Sequence, residues 1–296
     1  MSIDVIVANV LAHCGGDRER AARHLSRAIA ATPSEAEVYA AAVELLPTLG
    51  ELPADDPTVA PLLAFAYFSS GRMDDAATTL GALSGISPHI AWADAPWFAD
   101  VSFLSKVSIE AVREAVYLLF DHAAVPEDPA AAPWLRAIQT LTTRLNLSPE
   151  DLAGLAISLR LLGRTDESLA LCDRADRVGR TMLTEVVRGG TWRLLGNLDE
   201  TAAAFRRALA LEPDNWSLYL DLSDLHAERG DHPAALAAAQ AGLTHSPNEP
   251  MLRAARAAHH ARLTGTADAL REFERLAPDI DPAYSRWLRD QATGAD

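Results

Sequence analysis

A chain of 296 residues with 49% hydrophobic and 23% charged residues has ample material for a packed interior, either as two ordinary domains or as one elongated array. Its net charge of −15 sets any nucleic-acid phosphate against a repelling background, so a nucleic-acid partner is not expected. Lys106 is the single lysine and lies in no Schiff-base or P-loop motif, which removes those chemistries. No stretch approaches the ~20 apolar residues of a membrane span. Alanine dominates the apolar set and no useful period-two run occurs, so the expected class is all-α.

In chain order, the first stretch runs from residue 2 to 35. It has Gly16-Asp17 at a turn, Ala21, Leu25 and Ala28 on the following apolar stripe, and Pro33 closing it. Leu11-Ala12-His13-Cys14 loosely resembles a lipoprotein cleavage box, but Asp4, Asn9 and His13 each spoil it, so a cytoplasmic protein is expected. Ser34 and Glu37 form a capping box that predicts a helix from Ala36 to about Leu46, with a loop over 47–57. A second unit covers 57–90, with Leu63, Ala64 and Tyr67 inward, Gly71-Arg72 at its turn, Ala76, Leu80 and Leu83 in its second helix, and Pro88 at its end.

Residues 91–147 break this phase and hold Trp92, Trp97, Phe98, Phe103, Tyr117, Phe120 and Trp134. Helices are expected from Ile109 to His122, behind Ser108 as N-cap, and from Ala131 to Leu145. Ser148-Pro149-Glu150-Asp151 is a strong helix start, followed by the stripe Leu152, Leu155, Ala156 and Leu159, a turn at Gly163, and Ser168, Cys172 and Ala175 inward. Cys14 and Cys172 have no metal spacing and read as small core residues in a reducing compartment.

From 182 to 249 one hairpin is written twice. Gly196 and Gly230, Phe205 and Ala239, Ala208 and Gly242, and Pro213 and Pro247 each stand 34 residues apart. The phase continues at Ala269, Phe273 and Leu276, and 280–292 reads as a solvating end helix with Tyr284, Trp287 and Leu288 on one side. The 34-residue spacing, with Gly196-Asn197-Leu198-Asp199-Glu200 at the turn, Phe205 and Ala208 after it and Pro213 closing, resembles the tetratricopeptide repeat. The resemblance implies a right-handed superhelical array of antiparallel hairpins, an α-solenoid that binds a protein or peptide. Four stretches are expected: hairpins over 1–90, an irregular aromatic-rich segment over 91–147, further repeats over 148–279, and a capping helix and tail over 280–296. Arginine over lysine and the alanine content suggest a GC-rich bacterial genome.

Family geometry lines the concave face with the second, fifth, ninth and twelfth residues of each unit. These are Thr58, Pro61, Phe65 and Phe68; Glu150, Ala153, Ile157 and Arg160; Leu183, Val186, Gly190 and Arg193; Ser217, Leu220, Asp224 and Ala227. Arg160, Arg193 and Arg262 invite a carboxylate ligand along one wall, but arginines also gather at helix C-termini for electrostatic reasons alone. Trp97 and Phe98 make either an anchor for a partner or part of a core. The family's lysine- and asparagine-rich clamp for a chaperone's acidic tail is not matched by Val186, Gly190, Leu220 and Asp224. His259-His260 are adjacent and point apart on a helix, so no metal site is expected, and His226 and His260 read as structural histidines at one repeat position. No catalytic motif occurs and no cofactor is expected. The expected function is a non-catalytic scaffold or adaptor. The alternatives are a peptide-responsive regulator without its own DNA-binding domain and an enzyme with a pocket in 91–147. Exposed end faces also allow pairing of two arrays.

Overall fold

The structure, a computed structural model, describes residues 14–15, 17–49, 51–120 and 126–294. Among the described residues every regular element is helical. The chain divides into two compact units, one ending at Ala175 and the other beginning at Asp176.

In the first unit α1 (Arg18–Ala31) packs on α2 (Ala36–Leu49) and α3 (Ala60–Ser69), and α3 pairs with α4 (Met73–Ile86). Two helices follow in the aromatic segment, α5 (Val101–Lys106) and α6 (Ile109–Phe120). Then come α7 (Ala131–Leu141), α8 (Pro149–Leu161) and α9 (Thr165–Val178), which runs across the division. The long helix α6 is inserted between α4 and α8 and packs on both. Its approach to α4 is set by two glycines: a Cβ built on Gly81 would stand 2.5 Å from Ala115 Cα, and one on Gly85 would stand 3.2 Å from the Leu118 carbonyl carbon. Small residues at i and i+4 let two backbones meet along one ridge.

Three local expectations need correction. The helix from Ala36 runs through Pro47 to Leu49, shortening the expected 47–57 loop. An internal proline costs a helix about 3 kcal/mol, but the buried stripe Ala41, Ala42, Leu45 and Leu49 carries this one past it. That helix starts one residue after Glu35, so Ser34 stands outside the capping position. The helix from Ala131 stops at Leu141 rather than Leu145. Beyond it Arg144 is drawn back to cap α5, donating to Leu104 O (Nε, 3.2 Å) and Val107 O (Nη2, 2.8 Å), and Asn146 takes a positive φ of 59°. The helix expected from Ile109 to His122 begins at Ile109 and is described as far as Phe120. His122, the first turn at Gly16 and the sequence before Cys14 lie outside the described residues.

The second unit is a run of antiparallel hairpins: α10 (Met182–Leu194) with α11 (Leu198–Leu211), α12 (Trp216–Glu228) with α13 (His232–His245), and α14 (Pro250–Thr264) with α15 (Ala267–Leu276). It ends in α16 (Pro282–Thr293). Gly196 and Gly230 occupy equivalent turns with φ of 74° and 72°. At each, the next N–H reaches back to a helix carbonyl, Asn197 to Trp192 O and Asp231 to His226 O, both at 2.9 Å. This closure needs a left-handed residue, which glycine supplies without a Cβ penalty. The first unit repeats it at Gly71 and Gly163, where Arg72 N reaches Tyr67 O and Arg164 N reaches Leu159 O at 2.8 Å. Tyr39 and Tyr219 each donate to a proline carbonyl six residues back, Pro33 O and Pro213 O, at 2.9 Å. Both units are therefore built from one hairpin design.

Candidate functional site

In the second unit the first helix of each hairpin contributes residues 34 positions apart to one face, and these positions do not share one fate. On α10, Leu183, Val186, Gly190 and Arg193 are half-exposed. On α12, Leu220 is buried, Asp224 is half-buried and Ala227 is buried. On α14, Ala254, Ala258 and Ala261 are closed off, at 0%, 0% and 4% exposure. The face is open over α10 and covered over α14.

Polar groups converge where it narrows. Arg193 pairs with Glu228 across α10 and α12, its Nε 3.3 Å from Glu228 Oε2, and the Tyr284 hydroxyl of α16 donates to Asp224 Oδ1 at 2.7 Å. Burial pushes the Asp221 carboxyl up to about 6, against the opposing pull of Arg193. Burial likewise pushes Asp224 up to about 7; Asp221 and Glu228 add to the rise, while the Tyr284 hydrogen bond and Arg193 oppose it. Burial also raises the Tyr284 phenol, and the neighbouring Asp224 raises it further, so it remains a donor at neutral pH. The patch holds one guanidinium against three carboxylates, two of them desolvated, so it suits a hydrogen-bond donor or a cationic group on a guest.

The raised carboxyls fix the sign of a pH effect. Their folded pKa values lie above the ordinary 3.8, so the folded state binds more protons, and their contribution to stability is lost as pH rises through about 6 and 7. His259 works the opposite way: burial, then His232, depresses it to about 4 from 6.5, and its contribution is lost as pH falls through that window. The carboxyls outweigh it up to about pH 7. Asp224→Asn should therefore raise stability at pH 8 by about 1–2 kcal/mol and flatten the decline between pH 5 and 8, as read from urea midpoints. An unchanged slope would remove Asp224 from the account.

The expected site residues fall into several places. Phe65, Phe68, Trp97 and Phe98 lie in the first unit, in one aromatic cluster with Phe103 and Trp134. Phe68 stacks on Trp97 at 5.1 Å and Phe98 meets Trp134 edge-on at 4.7 Å. Trp97 and Phe98 are buried, which corrects the reading of an exposed anchor pocket: an irregular segment must still bury its rings, and these rings fill it. Elsewhere in the stretch 91–147 an open pocket of about 500 Å³ lies along α6, lined by Glu110, Arg113, Glu114, Tyr117 and Phe120, with Leu161 of α8. Ala153 and Ile157 are buried too, and Ile109 of α6 stands against Gly154 of α8. Arg160 is half-exposed in the first unit, Arg193 is engaged by Glu228, and Arg262 is exposed. Among the histidines of the described residues the buried one is His259, not His260, which is exposed. The core position is held by Leu225 and His259, 34 residues apart and one step off the register expected for His226 and His260.

One feature had no sequence signal. Glu185, fully buried on α10, is ringed by Arg207 (3.0 Å), Arg180 (3.4 Å) and Arg188 (3.5 Å), and Arg188 also bonds Asp176 at 2.6 Å. Only the Glu185–Arg188 spacing is visible in sequence, where it looks like an ordinary helix-surface pair. Among the described residues no group of three or more His, Cys, Asp or Glu side chains is placed to hold a metal, and no helix is long and apolar enough to cross a membrane.

A family model described as tetratricopeptide repeat matches residues 194–258, from the first glycine turn into α14. Among curated proteins no sequence match is found. Similar solved structures include a thermophilic TPR protein in Thermus thermophilus, with 22% identity, 68% of this chain and 97% of that one covered, and a TM-score of 0.42. A tetratricopeptide repeat protein from Parabacteroides merdae has 14% identity, coverage of 93% and 99%, and a TM-score of 0.48. The APC/C hetero-tetramer Cut9-Hcn1 has 12% identity, coverage of 98% and 52%, and a TM-score of 0.42.

Proposed function

We propose that this chain, which a tetratricopeptide-repeat model matches over residues 194–258, is a non-catalytic scaffold. In this reading it holds a protein or peptide segment on the first-helix face of its second unit. The observation that carries the reading is the contrast along that face: apolar Leu183, Val186 and Gly190 stay accessible on α10, next to a patch of desolvated carboxylates at Asp221 and Asp224. Apolar side chains supply contact area, and the half-buried acids supply orientation through charge-assisted hydrogen bonds. The surface is open over α10, which suits holding a guest against it.

Val186→Asp tests this. The residue is half-exposed, so folding should be little affected, while a new charge in the contact surface should weaken a purified partner at least tenfold in titration calorimetry. Unchanged affinity in a variant that melts normally would place the partner elsewhere.

A further inference from the structure

The covered end of this face is covered by the chain itself. α16 takes α14 as its main neighbour, and its buried Leu288 and Ala292 join Ala254, Ala258 and Leu220 in one apolar cluster. It also reaches past α14: the Tyr284–Asp224 hydrogen bond ties it to the first helix of the hairpin before. Leu220 and Asp224 are the fifth and ninth residues of their unit, and Ala254 and Ala258 are the same positions one repeat later. These are the positions that remain half-exposed on α10 as Val186 and Gly190.

α16 thus sits where a guest on this face would sit, and it has the form of a guest helix. Tyr284 and Leu288 are four residues apart and turn inward, and Arg286 and Asp290 are exposed. Asp281 caps its start, accepting from Ala283 N and Tyr284 N at 2.8 and 2.9 Å, so the helix carries its own N-terminal signal. Residues 277–281, opening with one 3-10 turn, tether it. Its other tie, Arg289 to Glu274 at 2.9 Å through both Nε and Nη2, is a surface pair and contributes little.

We infer that α16 is a tethered occupant of the first-helix face of the second unit, and that this face receives an amphipathic helix of the same chemistry: a hydrogen-bond donor facing Asp224 and a leucine-sized side chain one turn later. The inference rests on the reading of this face as a binding surface and names the class of its partner. A partner helix of this kind displaces α16, so the array is closed to weak guests and open to those that reproduce both contacts.

Hydrogen exchange read by mass spectrometry on the full chain tests this without any partner. Tyr284→Phe removes the bond to Asp224 and should speed exchange of α16 amides about tenfold, leaving those of α10 to α13 unchanged. A synthetic peptide of residues 281–294, added in excess to that variant, should become protected while the chain's own α16 loses protection. The same peptide with Leu288→Ala should do neither. Exchange of α16 in step with α14 in both proteins, or a peptide that never displaces it, would make α16 a fixed part of the core and overturn the inference. Displacement by the peptide combined with a partner insensitive to Val186→Asp would instead uphold the inference and reject the scaffold reading.

Discussion

Gly81→Ala is expected to destabilise the protein by about 3 kcal/mol, read as a lower urea midpoint with an unchanged slope. Helix propensity alone predicts the reverse, since alanine in a helix interior is favoured over glycine by about 1 kcal/mol. The reason for the loss is contact: the added Cβ would stand 2.5 Å from Ala115 Cα and 2.7 Å from its Cβ, and these atoms belong to the backbone ridge of α6, which cannot rotate away. α4 and α6 must separate, and the apolar side chains beside them, Leu80, Val112, Val116 and Leu119, lose close packing. Gly85, one turn later against Leu118, should behave in the same sense. A gain in stability at Gly81 would mean that the two helices do not approach as described.

Glu185→Ala is the second large effect, with an expected loss of about 3 kcal/mol. Its carboxylate is 1% exposed and meets Arg180, Arg188 and Arg207, whose side chains are 54%, 12% and 38% exposed. Removing the acid strands Arg188 most, because it is the most buried of the three, although Asp176 remains beside it. Arg180 and Arg207 can turn to water, which keeps the cost below that of a fully enclosed pair. A buried network is screened weakly, so the loss should persist at high salt, whereas an exposed pair such as Arg271–Asp268 should show little effect at any ionic strength. Equal stability of wild type and Glu185→Ala in urea would show that the arginines do not depend on this acid.

The hairpins were readable because their signals are local. Gly71, Gly163, Gly196 and Gly230 sit where a left-handed turn is needed, and Pro88, Pro213 and Pro247 follow three of them at one offset, so a short window carries the message. Two kinds of feature escaped. The first is an element whose length is decided by burial rather than propensity, as in the helix that continues through Pro47 to bury Leu49. The second is a contact between residues distant in sequence. Arg144 capping α5 from 40 residues away, Arg207 turning toward Glu185, and Tyr284 reaching Asp224 across 60 residues depend on how helices lie side by side. For the face itself, register alone nominated Val186, Leu220 and Asp224 together, and only the packing separated the open α10 positions from those under α16. The aromatic residues of 91–147 were visible as a composition, and their burial became visible only with α6 placed against α4 and α8.

The proposed scaffold makes contact with its partner only through the first-helix face of the second unit. Site-specific photo-crosslinking in the full chain tests it most directly, with a photoreactive residue placed in turn at Leu183 and Val186 on α10 and at the exposed Arg206 and Gln240 on second helices. Crosslinks to a purified partner are expected from Leu183 and Val186, with background from Arg206 and Gln240. Equal or stronger crosslinking from the second helices would contradict it.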